Sequence, residues 1–329
     1  METATLSRPG NASSDFAMPH FALMDVTADI AMLDLVLVNA FFVGDPADGP
    51  QGWVLVDAGI HGSAPRFIRA AEDRYGRGAR PRAIVLTHGH FDHVGALKTL
   101  AEHWDVPVYA HELELPYITG RSAYPPADPT VGGGLMARMS FLYPRGPFNV
   151  GLRAMALPAD GRVPEMPGWR WVFTPGHSPG HVSFFREADR ALIAGDAFVT
   201  MKQESLASVL TQRRVMHGPP AYFTHDWEAA RESVRRLAAL HPCLAVTGHG
   251  LPMANPRLDH DLDELARHFD ELAVPRKGRY VKLPAFFDHQ GVVAVPPPVP
   301  DAFPKVLLAL TVAGAAIATV AAMRRSRDD

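Results

Sequence analysis

The stretch Thr87-His88-Gly89-His90-Phe91-Asp92-His93 decides how this chain is read. Three imidazoles and one carboxylate fall within the six residues from His88 to His93, a density of metal-binding groups that chance seldom supplies. The apolar run 83–86 before it has the composition of a short buried strand, and Leu97, Leu100 and Trp104 after it recur at helical spacing. The metal-binding side chains therefore belong to a strand-to-helix loop. In an open α/β architecture such loops gather ligands, because the sheet fixes their ends while the loop backbone lets side chains converge.

Three later strand ends extend the set. The β-rich run 169–173 leads into Thr174-Pro175-Gly176-His177-Ser178-Pro179-Gly180-His181, a turn stiffened by two prolines and loosened by two glycines. The run 191–195 ends on Asp196, and the run 244–248 ends on His249. Five imidazoles (His88, His90, His93, His177, His249) and two carboxylates (Asp92, Asp196) suffice for two divalent ions of borderline softness. Asp196 is the candidate bridge, with positions left open for water, as in catalytic rather than closed structural sites. Ten of the sixteen histidines lie outside these motifs and read as ordinary structural or surface residues.

With these motifs in order, the chain resembles the metallo-β-lactamase-fold hydrolases, a superfamily marked by H-x-H-x-D-H, a later T-P-G-H, a G-D strand end and a final G-H. The likeness spans about residues 30–255. It implies an α/β fold, a four-layer αββα sandwich. It also implies that His88, His90 and His177 hold one metal, that Asp92, His93 and His249 hold the other, and that Asp196 bridges them. The family's V-D-x-G element matches Val56-Asp57-Ala58-Gly59, where Asp57 would support a ligand by a hydrogen bond; His181 is assigned a similar part, with turn capping as the alternative for both.

Such a site dictates the reaction class. Two cations about 3.5–4 Å apart lower the pKa of a shared water towards 7, so that a metal-bridging hydroxide is the expected nucleophile and no Ser or Cys is required. Asp92 is both a ligand and the candidate proton shuttle. Cys243, the only cysteine, reads as a small hydrophobe leading into the last strand. Because it keeps Asp196, the chain looks more like the glyoxalase II and lactonase side of the superfamily, whose members open thioesters and cyclic esters. Some lactonases carry a Tyr three residues after the bridging Asp; Val199 stands there. The expected activity is hydrolysis of a carboxylic ester, thioester or lactone, with two divalent ions, zinc first and iron or manganese as alternatives. The competing readings are a phosphodiester hydrolase and a mononuclear-iron, persulfide dioxygenase-like oxidoreductase.

At 329 residues, 47% hydrophobic and with a formal net charge of −3, the chain can bury a large core and has no basic bias towards nucleic acid, so a small-molecule substrate is expected. Residues 1–25 read as a flexible N-terminal segment and 26–290 as the catalytic domain. Within it, residues 116–151 are rich in Pro and Gly, contain Met136 and Phe141, and are too long for an ordinary connection, so they read as a lid; packing on the core away from the site is the alternative. A second candidate wall, 201–225, contains Glu204, His217, Tyr222 and His225. Met136, Phe141, His217 and Tyr222 are the substrate-pocket candidates.

Residues 291–304 read as a Pro-rich linker, 305–323 as a candidate membrane-spanning or membrane-associated helix, and 324–329 as a short basic tail. The span from 306 to 323 carries no charge over eighteen residues, the lower limit for crossing a bilayer, and Gly314 with Ala318 offers a small-xxx-small pair that could support a homo-oligomer. The N-terminal thirty residues lack the pattern of a signal peptide. The expectation is a membrane-anchored protein with its catalytic domain in the cytoplasm, and the alternative is a soluble cytoplasmic one.

Overall fold

The computed structural model describes residues 23–300. Seven strands form the first sheet in sequence order, β1 (Leu23–Asp25), β2 (Ile30–Asp34), β3 (Asn39–Val43), β4 (Val54–Val56), β5 (Ile84–Val85), β6 (Val108–Ala110) and β7 (Ala154–Ala156). Pairing is antiparallel from β1 to β4 and parallel from β4 to β7. Parallel neighbours need a crossover, which the helices Ala64–Tyr75 and Leu97–Trp104 provide. The second sheet has the order β12-β11-β10-β9-β8, built from β8 (Trp169–Phe173), β9 (Val182–Arg186), β10 (Ala191–Ile193), β11 (Leu244–Val246) and β12 (Met253–Ala254). Its single parallel pair, β10 with β11, is joined through the helix Trp227–Ala238.

The period of two along each strand separates the cores. On β3, Phe41 and Val43 enter the core between the sheets, whereas Ala40 and Phe42 enter the core under the helices. On β4, Val54 and Val56 face the inner core and Leu55 the outer one. The second sheet mirrors this, with Phe184 and Ile193 inside and Phe185 and Leu192 against the helices Trp227–Ala238 and Arg257–Arg267. Helix, sheet, sheet and helix therefore stack in four layers, as the resemblance implies. A slip of one residue in any of these strands would exchange its inner and outer sets, so the register is strongly fixed.

The helices begin and end for local reasons. In Trp227–Ala238 the Asp226 side chain accepts from the Ala229 amide at 3.0 Å, Glu228 sits in the first turn, and Arg235 and Arg236 sit in the last, each favourable to the helix dipole. Its buried stripe is made by Trp227, Ala230, Val234 and Leu237, at helical spacing. Under the first sheet, Trp53 stacks on Phe42 and Tyr75 at 5.2 and 4.8 Å between ring centroids and meets Trp104 edge-on.

Two boundaries differ from the expected ones. β1 starts at Leu23, inside the segment read as an N-terminal extension, because its three residues pair in full with β2. A hairpin of β13 (Phe286–Asp288) and β14 (Gly291–Ala294) straddles the boundary drawn between domain and linker; the Val292 amide donates to Ser122 and so pins the hairpin to the domain. The apolar run 305–323 and the tail 324–329, read as a membrane anchor, lie outside the described residues. Among the described residues no helix is long and apolar enough to cross a membrane.

Candidate metal centre

All seven residues singled out by the sequence stand where strands β5, β8, β10 and β11 end, and the fold brings them together. Three overlapping groups result: His88, His90 and His177; His88, His93 and Asp196; and Asp92, His93 and His249. Within each group the ligand-type atoms lie within 4.8 Å of one another, and every member is buried. The two sheets are tied at this edge, since the Val182 amide donates to the Thr87 carbonyl at 3.0 Å and the Asn39 side chain donates to the Thr247 and Gly250 carbonyls. Gly248 is needed for close approach: a Cβ there would stand 2.1 Å from Asp196 Oδ1 and 2.7 Å from the His93 ring.

Hydrogen bonds on the outer side of the rings fix which nitrogen carries the proton. Thr87 Oγ1 donates to Asp57 Oδ2 at 2.7 Å and so accepts from His88 Nδ1 at 3.1 Å. His93 Nδ1 donates to Asp57 Oδ2 at 2.8 Å, and His249 Nδ1 donates to the Leu37 carbonyl at 2.6 Å. Thr224 Oγ1 gives its proton to the Pro220 carbonyl and accepts from His177 Nδ1. Each of these four rings therefore turns a bare Nε2 lone pair inward.

Those lone pairs meet other acceptors. Asp196 Oδ2 lies 3.0 Å from His249 Nε2, 3.3 Å from His177 Nε2 and 3.6 Å from His93 Nε2. His90 Nδ1 donates to His177 Nε2 at 2.9 Å, which leaves His90 Nε2 as its free lone pair, and Asp92 Oδ2 lies 3.7 Å from His249 Nε2. The Nε2 atoms of His88, His90 and His93 and Asp196 Oδ1 are buried with no hydrogen-bond partner. Acceptors converging on acceptors in a dry site demand positive charge. The donor set, imidazole nitrogen with carboxylate oxygen, fits divalent transition metals or zinc.

Electrostatics agree with that demand. Burial pushes His88, His90 and His177 well below the ordinary imidazole range. Burial acts the same way on His93 and His249, but the Asp196 carboxylate outweighs it and raises both. Burial alone would lift Asp196; His249 and His93 instead hold it well below the usual carboxylate range. Burial raises Asp92. The pocket around Asp196 thus attracts a proton where no metal is supplied.

Asp57 and His181 both lie against the converging residues. Asp57, at a positive φ of 62°, accepts from the Thr87 amide, the Thr87 hydroxyl and His93. His181 accepts from the Asp196 amide at Nε2 and faces Thr174 Oγ1 at Nδ1; burial pushes it down to about 3.

The candidate pocket residues divide. Tyr222 is buried beside Tyr143, and after burial itself the Asp92 charge contributes most to raising its phenol. Met136 is half-buried, and its carbonyl accepts from Tyr143 at 2.9 Å. Phe141 is at the surface, and half-buried His217 sits on a backbone bridge to Val199. An aromatic array lies against His90 instead: Phe223 stacks on it at 4.7 Å, Tyr124 of the candidate lid lies at 4.4 Å, and Phe91 links Phe223 to Tyr143, also of that lid; Phe91 and Phe223 were not foreseen. His225, from the second candidate wall, is buried with both ring nitrogens unpartnered, its ring 5.8 Å from that of His90. Thr224, the Leu37 carbonyl and Glu114 were also unforeseen, because a threonine, a backbone carbonyl and an isolated glutamate carry no spacing that marks them.

Comparison with known proteins agrees with this geometry. The family model described as the metallo-beta-lactamase superfamily matches residues 33–249. A probable metallo-hydrolase of Bacillus subtilis, YflN, is 48% identical over 240 residues, covering 73% of this chain and 90% of its own. The hydroxyacylglutathione hydrolase GloC of Haemophilus influenzae is 26% identical over 214 residues, covering 62% of this chain and 82% of its own. Among solved structures, a beta-lactamase domain protein from Burkholderia ambifaria aligns with a TM-score of 0.53 at 22% identity over 78% of this chain and 79% of that one, which speaks for the fold. A buried set of His and Asp residues that could hold metal, on two sheets packed face to face, and a family model matched across most of both sheets place the chain in the metallo-beta-lactamase superfamily, among its metallo-hydrolases.

Proposed function

We propose that this metallo-hydrolase holds two divalent ions, zinc first among them, and cleaves a carboxylic ester, thioester or lactone of small-molecule size. The observation that carries the reading is the cluster of buried, unpartnered ligand atoms, Nε2 of His88, His90 and His93 and Oδ1 of Asp196. The thioester class draws support from the likeness to a hydroxyacylglutathione hydrolase. His88, His90 and His177 would hold one ion and Asp92, His93 and His249 the other, with Asp196 between them. When bound, such ions acidify a water and polarise the oxygen of the scissile carbonyl.

The chain supplies the rest. Asp57 and the Leu37 carbonyl hold the protons of His93 and His249 on Nδ1, and His181 anchors the backbone of Asp196. Asp92 would also be the group that takes a proton from the attacking water and passes it to the leaving group. Phe91, Tyr143, Tyr222 and Phe223 give an apolar wall for the acyl part of a substrate, and residues 116–151, which carry Tyr143, act as the cover over that wall. Elemental analysis of the purified chain, run beside turnover of thioester, lactone, β-lactam and phosphodiester panels, tests the proposal. About two zinc ions per chain with ester or thioester turnover is expected. One iron per chain, or turnover confined to phosphodiesters, would sink it.

A further inference from the structure

Glu114 lies in the turn after β6, fully buried, and none of the site's expected chemistry uses it. Its two oxygens receive four donors. Oε2 accepts from the Gly89 amide at 2.9 Å and from the Tyr124 hydroxyl, and Oε1 accepts from the Ser178 hydroxyl and the Gly180 amide, both at 2.7 Å. Gly89 stands between His88 and His90, and Ser178 and Gly180 follow His177. Tyr124 packs its ring 4.4 Å from that of His90. The space for the carboxylate exists because both backbone donors are glycines: a Cβ on Gly180 would stand 2.8 Å from Glu114 Cγ, and one on Gly89 would stand 2.8 Å from the Tyr124 oxygen and 3.3 Å from Glu114 Oε2.

We infer that Glu114 is a positioning residue that staples the His88–His90 loop of one sheet to the His177 loop of the other and so sets the spacing of those three imidazoles for one metal ion. The inference rests on the metal reading of the site. Without the staple the two loops keep the backbone bond from Val182 to Thr87 beside His88, but nothing ties Gly89 to the Ser178–Gly180 turn, and the imidazoles must be ordered more fully at the moment of binding. A carboxylate is required rather than any polar group of its shape. Each oxygen faces a backbone N–H, so an amide at this position would turn its NH2 against a donor in either orientation.

The test uses the full chain as wild type and as Glu114→Gln, His90→Ala and His249→Ala, titrated with cobalt(II) against a chelator while the visible d–d bands are recorded. Glu114→Gln is expected to weaken one ion by tenfold or more, with a cobalt spectrum that departs from wild type in the way His90→Ala does and leaves the band lost in His249→Ala in place. A Glu114→Gln chain that takes up cobalt like wild type, or that loses both ions equally while melting cooperatively, overturns the inference. If Glu114→Gln does not fold, Ser178→Ala and Tyr124→Phe each remove one donor and leave the carboxylate. A severalfold loss at the same ion is then expected, and unchanged binding in both overturns it. A wild-type chain that binds no cobalt overturns the metal reading itself, an outcome distinct from ordinary binding in both wild type and Glu114→Gln.

Discussion

At the scale of single residues, the site is defined less by its seven inward groups than by what holds their outer faces. The Asp57 carboxylate touches only one ligand, yet through it and Thr87 it fixes the proton of His93 directly and that of His88 indirectly. Asp57→Asn puts an amide where three donors converge, and metal affinity should fall by about 10–100-fold; competition with a fluorescent chelator measures it, and an unchanged affinity would count against the arrangement. Asp196 is the more severe case, because three imidazole nitrogens converge on one of its oxygens. Asp196→Asn should lower turnover by more than about tenfold, whereas exposed His289→Asn should leave it unchanged; equal losses in both would undermine the assignment. All seven inward groups were legible in the sequence because each sits at a strand end and four fall in one loop. The outer partners were not. Glu114 reaches Gly89 and Gly180 across 25 and 66 positions of chain, and only the folded sheets make those neighbours.

At the scale of elements, strands and helices were legible wherever apolar periodicity was uninterrupted. Trp169–Phe173 coincides with the β-rich run of the sequence, and Leu97–Trp104 is the helix that the spacing of Leu97, Leu100 and Trp104 suggests. The segment 116–151 has no such period; it breaks into short turns held by scattered backbone bonds, such as those from Asp128 to Tyr222 and from Met136 to Glu204, with Tyr117 and Tyr124 stacked at 3.9 Å inside it. The two sheets are also joined away from the site, where Arg186 on β9 reaches Asp29 in the turn between β1 and β2 and, on its own side, Asp189. Burial would raise the Asp29 carboxyl, but the Arg186 guanidinium outweighs it and holds it below its ordinary value. A lowered folded-state pKa gives stability that is complete above the unfolded value of about 3.9 and is lost as pH falls through the folded one. Asp29→Asn should therefore cost about 0.5 kcal/mol at pH 7, the scale of a partly exposed pair, and less near pH 2. Urea midpoints of metal-free wild type and variant at the two pH values read the difference, and a gap that persists undiminished in acid would refute this account.

At the scale of the whole molecule, the candidate ligand groups are drawn from both halves of the sandwich. His88, His90, Asp92 and His93 follow β5 of the first sheet, and His177, Asp196 and His249 follow strands of the second. The inner core of Phe41, Val56, Phe184 and Ile193 holds the sheets face to face, but at the site edge the side chains present one unpaired acceptor to another. Bound metal would therefore act as a clamp between the halves, and metal affinity would be felt as folding free energy because the unfolded chain has no such site. At a free metal concentration about 1,000 times the dissociation constant, the linkage is worth about 4.1 kcal/mol. For a domain of this size that corresponds to a rise in Tm of roughly 8–16 °C. The raised His93 and His249 set the pH dependence, since metal must displace protons from these two rings. Binding near neutral pH should release protons, and the stabilisation by metal should shrink as pH falls. Calorimetric melts of chelator-stripped protein with zinc added stepwise, repeated at pH 8 and pH 6, provide the measurement. A rise in Tm that is larger at pH 8 is expected; no rise at either pH would mean that the converging acceptors do not share an ion across the two sheets.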